Sequence, residues 1–172
     1  GERVWLKRRF KEYKIENGDL VKLKMRMDII PVSIALAQAA NESGWGTSRF
    51  ALEGNALFGQ WTWSKKGISP KNKDPEKSHK ILQFQILKAS VRAYKNNLNT
   101  HNAYKEFREA RARLRQKNEK IQGLKLTKYL KNYAAIGEKY VMILEDIIEK
   151  NSLTDFDSAN LLPTKLKQGV SL

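Results

Sequence analysis

The chain contains no cysteine. That removes disulfide staples and thiolate metal sites, and leaves the compartment undecided. Histidine is almost as scarce: only His79 and His101 occur, far apart in the sequence. This argues against a zinc centre and against a Ser-His-Asp triad. No apolar run is long enough to cross a bilayer, and no secretory leader is visible. Acidic charge is in short supply. Lysine and arginine number 33 against 18 aspartates and glutamates, a formal net charge of +15. Such a balance draws a protein to polyanions, with nucleic acid the generic partner and an anionic membrane surface the next. Charge alone does not choose between them.

What is present suffices for one domain with a real core: 172 residues, 41% of them hydrophobic. The expected architecture is α+β and mainly helical, with the domain over 1–150 and a loosely docked tail over 151–172. Helical spacing of Trp5, Arg9, Phe10 and Tyr13 predicts a helix over 3–14, and the stripe Leu20, Leu23, Met27 a second over 19–28. A third helix starts near Pro31, with Asp28 as its expected N-cap, and ends at Gly44 and Gly46. Ser48 reads as the cap of a short helix. Residues 57–86 read as a small β-lobe: an extended aromatic run over 57–63, a loop over 65–79, then a strand-like run over 80–86. Further helices are expected from Leu87, from Tyr104, over 124–133 and over 140–148. The Arg-rich segment 108–120 reads as a solvated helix face, with polyanion contact the sharper alternative.

Chemistry concentrates in Ala37-Gln38-Ala39-Ala40-Asn41-Glu42-Ser43-Gly44-Trp45-Gly46-Thr47-Ser48. Here a carboxylate, Glu42, follows an apolar helix of small residues and precedes a Gly-Trp-Gly bend. Gln38, Ala39 and Ala35 share its face, and small side chains there let another element approach closely. A carboxyl so enclosed loses water, which raises its pKa and suits it to protonate a leaving oxygen near neutral pH. A lone Glu at a helix end is ordinarily solvated. The apolar flanks and the cost of the bend speak for a functional group instead. Glycoside cleavage uses such an acid beside an aromatic platform.

Three blocks in order carry a resemblance. The first is Gln38, Glu42, Ser43, Trp45, Gly46 and Ser48; the second is Asn55-Ala56-Leu57-Phe58-Gly59; the third is Tyr133-Ala134 with Tyr140. Over roughly 30–148 the chain resembles bacterial endo-β-N-acetylglucosaminidases that cut peptidoglycan, and Asp28-Ile29-Ile30-Pro31 looks closest to their Bax-like branch. Two places depart from the pattern. The loop from Tyr133 to Tyr140 is longer and differently charged, and Phe84-Gln85-Ile86-Leu87 keeps only the Phe of a usual Phe-Arg-x-Tyr run.

The resemblance implies a lysozyme-like fold with a cleft between an α-lobe and a β-lobe, and hydrolysis without metal or organic cofactor. Glu42 would be the general acid. For the second group, Glu76 is favoured over Asp74, with the substrate's own 2-acetamido oxygen as the alternative nucleophile. Tyr133 is expected to hold the acetamido group or orient a water. Trp45, Phe58, Trp61 and Tyr140 would contact sugar, with Trp63 a further candidate platform, and Gly59 and Gln60 would offer backbone or amide groups. The implied partner is a peptidoglycan glycan strand, not nucleic acid, and the expected state is a monomer in the periplasm or outside the cell, its export signal removed. A lytic transglycosylase or muramidase on the same fold is the near rival. A silent wall-binding module and a basic nucleic-acid binder are rivals of another class.

Overall fold

The computed structural model describes residues 1–62, 67–69 and 80–160. Seven α-helices run in order among the described residues: α1 (Glu2–Glu12), α2 (Leu20–Arg26), α3 (Val32–Ser43), α4 (Arg49–Gly54), α5 (Leu87–Thr100), α6 (Lys105–Gln116) and α7 (Glu138–Lys150). Between α4 and α5 lie three short strands, β1 (Trp61–Thr62), β2 (Gly67–Ile68) and β3 (Lys80–Leu82). They form one antiparallel sheet in the order β1-β3-β2, with Trp61 opposite Ile81 and Gly67 opposite Leu82. The expected α+β, mainly helical architecture is observed, but the strands are shorter than the aromatic pattern suggested. Residues 57–60 are not strand, although the Gln60 carbonyl accepts from Leu82 N at 2.8 Å. Gly67–Ile68 adds a strand inside the expected loop.

The core lies where α3, α5, α6 and α7 meet. Ile34, Leu98, Phe107, Leu126, Leu130, Leu144 and Ile148 have no exposed surface. Each stabilises the fold by about 2 kcal/mol through burial alone. A smaller cluster of Tyr13, Ile15 and Leu23 seats α1 and α2. The segment expected as a helix over 124–133 instead forms tighter 3₁₀ turns at Gly123–Lys125 and Thr127–Tyr133. Gly123 passes so close to α3 that an added Cβ would lie 2.0 Å from Ser33 Oγ.

The cap of α3 differs from the expectation. Asp28 does not cap α3. The position before the helix is Pro31, which has no side chain to accept, and Asp157 serves in its place. The Asp157 carboxylate accepts from Ser33 N at 2.9 Å, Ser33 Oγ at 2.8 Å and Gly123 N at 2.7 Å. A negative charge at a helix N-terminus answers both its free N–H groups and its dipole. The start of the expected loose tail is therefore docked: Leu153–Ser158 forms a 3₁₀ helix on α3. Residues 161–172 lie outside the described residues.

The Arg-rich face of α6 is likewise not all solvated. Arg108 and Arg111 are buried, at 3% and 0% exposure. Arg108 donates to the Leu98 carbonyl at 2.9 Å and to that of His101 at 2.8 Å, at the C-terminus of α5. Arg111 donates to the carbonyls of Ile29 and Met25 and to Asn99 Oδ1. Both guanidinium groups thus donate to carbonyls at or just beyond helix ends, where intrahelical donors run out. Asp28 joins this cluster, pairing with Arg115 at 2.9 Å and with Arg111 at 3.7 Å. Burial pushes its carboxyl up, but the donors Arg115 and Ile29 N and the Arg111 charge outweigh that and hold it below its ordinary value.

Candidate active site at the end of α3

α3 is rich in alanine and ends where Gly44, Trp45 and Gly46 all take the left-handed conformation, with φ of 57°, 57° and 78°. Glycine adopts this readily, whereas tryptophan there is strained. The bend is tied from both sides. Ser43 Oγ donates to the Ala39 carbonyl at 2.5 Å and accepts from Gly46 N at 2.7 Å, and Trp45 N donates to Ala40 O at 2.8 Å. Ser48 then caps α4 by accepting from Ala51 N at 3.2 Å. The result holds the Trp45 ring at the surface, 65% exposed, three residues from Glu42.

Glu42 stands in the last turn of α3 and is half-buried. Its Oε1 accepts from Tyr140 Oη at 2.9 Å and from Asn41 Nδ2 at 3.1 Å. Its Oε2 faces Gly59, where a Cβ would lie 3.0 Å away. Gly59 has φ of 57°, so both conformation and space call for glycine. Burial pushes the carboxyl above its ordinary value, and the two donors pull it only partly back. The carboxyl is therefore a desolvated acid set where the helical core meets the segment leading into β1.

Behind it stands a wall of aromatic rings. Tyr133 stacks on Tyr140 with centroids 5.6 Å apart, Tyr104 leans on Tyr133 at 6.1 Å, and Phe58 stacks on Tyr94 at 3.9 Å. Burial raises all four phenols, Tyr104 to about 12, so they are neutral hydrogen-bonding groups at physiological pH.

The structure brings Glu42, Gly59, Tyr133 and Tyr140 together, but it changes several expected roles. Phe58 is not a sugar platform. Its ring is 4% exposed, because it fills the core against Tyr94. Tyr140 is not a sugar contact either: the inward face of α7 buries it to 1% exposure, and its hydroxyl serves Glu42. Tyr133 is partly exposed and gives its proton to the Phe58 carbonyl at 2.9 Å, which leaves its oxygen lone pairs free to accept. Gln60 Oε1 is buried without a partner among the described residues. Trp61 lies in β1; its side chain, Trp63, Asp74 and Glu76 fall outside what the structure describes. Two further residues belong to the site and were not assigned to it from sequence. Gln38, on the Glu42 face of α3, and Tyr94, on α5, are both hydrogen-bonded into the Glu42 cluster. The i, i+4 spacing puts Gln38 beside Glu42, whereas no local signal in the sequence ties Tyr94 to them. Two cavities, of about 160 and 350 Å³, lie elsewhere, one beside Leu114 and Tyr129 and one beside Ile15 and Thr100.

A half-buried acid on a small-residue helix, backed by tyrosines and next to a short antiparallel sheet, is the arrangement of a lysozyme-like domain of the glucosaminidase type. The chain belongs to the glucosaminidase family: the family model described as mannosyl-glycoprotein endo-beta-N-acetylglucosaminidase matches residues 18–153. A curated relative, Protein bax of Escherichia coli (strain K12), is 39% identical over 145 residues, covering 81% of this chain and 52% of its own length. The chain thus spans about half the length of the curated relative it matches. No solved structure matches it with statistical significance.

Proposed function

We propose that this chain is a peptidoglycan hydrolase that cleaves the β-1,4 bond following N-acetylglucosamine, with Glu42 as general acid. The observation that carries the reading is the Glu42 carboxyl itself, desolvated and raised, with one oxygen held by Tyr140 and the other against Gly59. Such a group keeps its proton at a pH where an ordinary glutamate has lost it. It can pass that proton to the glycosidic oxygen as the bond to the anomeric carbon breaks. Water then attacks, assisted by a second carboxylate, for which Glu76 is the candidate, or by the substrate's 2-acetamido oxygen. Tyr133, its own proton committed, offers a lone pair to an acetamido N–H or to that water. The exposed Trp45 ring offers an apolar face to a sugar. With peptidoglycan as its substrate, the protein would act in the cell envelope.

The test is digestion of purified sacculi. Glu42→Gln should abolish digestion by about a hundredfold or more while binding persists, since general acid catalysis contributes on the order of 10²–10⁴. Released ends should be reducing N-acetylglucosamine. Reducing N-acetylmuramic acid would make it a muramidase, and 1,6-anhydro ends a transglycosylase. The anomer first formed separates inversion from retention.

A further inference from the structure

Gln38 is fully buried, and both ends of its amide are engaged. Its Oε1 accepts from Tyr94 Oη at 2.7 Å, and its Nε2 donates to Tyr140 Oη at 2.9 Å. Tyr140 in turn donates to Glu42 Oε1 at 2.9 Å. The order of donors is dictated step by step. A neutral phenol has one proton to give. Tyr94, fully buried, gives its proton to an amide oxygen, which fixes which end of the amide faces it. The NH₂ end must then face Tyr140. Because the Tyr140 oxygen already accepts there, its proton is directed outward to Glu42. The chain crosses three helices, α5, α3 and α7. Its amide orientation is thus held by packing from two sides.

We propose that Gln38 and Tyr94 are positioning residues for Glu42: the amide they lock makes Tyr140 a permanent donor to Oε1 and reserves Oε2, the oxygen against Gly59, for the catalytic proton. The inference rests on Glu42 being the acid. In the reacting step the Oε2–H bond breaks and the proton joins the glycosidic oxygen, while the charge left on the carboxylate is met at Oε1 by the Tyr140 hydroxyl already in place. Pre-set donors of this kind need no reorganisation as charge develops. The titratable groups around Glu42 are Tyr140 on α7, Tyr94 on α5, Tyr104 ahead of α6 and Tyr133 in the 3₁₀ turn; no charged side chain among the described residues contributes to its shift.

Tyr94→Phe tests the relay, because it keeps the stacked ring and removes only the hydroxyl. The amide is then free to turn its oxygen toward Tyr140, which stops donating to Glu42. The ionised acid loses a partner, so Glu42 holds its proton to higher pH. The expected result is a fall in kcat of about ten- to a hundredfold with KM little changed, and an alkaline limb of the kcat profile moved to higher pH. Carboxyl NMR of Glu42, which needs no activity, should show the same upward shift in Tyr94→Phe and a smaller one in Gln38→Leu, where no amide oxygen is left to draw the Tyr140 proton away from Oε1. It should show no further shift when Tyr94→Phe is added to Tyr140→Phe, because the effect travels through Tyr140. A Glu42 titration unchanged in Tyr94→Phe, or shifted equally in the Tyr140→Phe background, overturns the relay. Failure of the parent reading is a separate result: Glu42→Gln that still digests sacculi.

Discussion

Glu42 puts functional chemistry and stability in opposition. A carboxyl raised in the folded state binds its proton more tightly there than in the unfolded chain. Below the ordinary value of 4.5 both states are protonated, and the site costs nothing. As pH rises from that value through the raised folded one, the unfolded chain releases its proton first, and Glu42 subtracts from stability. Glu42→Gln is therefore expected to raise Tm at pH 7 while removing activity, and the gain should vanish near pH 3. Thermal unfolding of both proteins across that range measures it, and a gain independent of pH would contradict the burial argument. Gly59 is constrained from the same side. Gly59→Ala places a methyl 3.0 Å from Oε2 at a left-handed φ, so activity should drop by about tenfold or more with a stability loss of about 1–2 kcal/mol.

At the level of elements, the helix bearing Glu42 is braced at its far end by Asp157. Asp157→Ala leaves Ser33 N, Ser33 Oγ and Gly123 N without their shared acceptor. The expected cost is about 2–3 kcal/mol, from a lost helix cap and partly buried donors, measurable by urea unfolding. This brace also shows where sequence reading stops. α3, its glycine end and the Glu42 position were legible because their signals are local: small residues at helical spacing, then Gly44, then Ser48 as the next cap. Asp157 lies 124 residues from Ser33 and nothing in its neighbours announces it. Arg111 reads as surface by residue type, since its acceptors are carbonyls at Met25 and Ile29 that only the packed α2–α6 arrangement brings within reach. Phe58 sits in a motif block, and no local pattern says that its ring turns into the core while the adjoining Gly59 faces the carboxyl.

Across the whole molecule, the excess of positive charge is uneven in its use. Arg108 and Arg111 are consumed inside, while Arg113, Lys117, Lys120 and Lys128 remain exposed. If the substrate is the proposed peptidoglycan, the exposed part of a net charge of +15 would favour slow escape from an anionic wall. Binding of Glu42→Gln to sacculi should weaken steeply between about 50 and 200 mM salt through screening, with a smaller loss for sacculi stripped of anionic polymers. Salt-insensitive binding would assign retention to sugar contacts alone.

The Asp157 contact has a temporal consequence. A ribosome delivers residues 32–43 well before residue 157, so the amide at Ser33 meets its acceptor only after 124 further residues have been added. The helix that carries Glu42 gains this brace only once that late carboxylate emerges and docks. Any shortened product ending before Asp157 would carry every residue of the Glu42 cluster in a loosened frame.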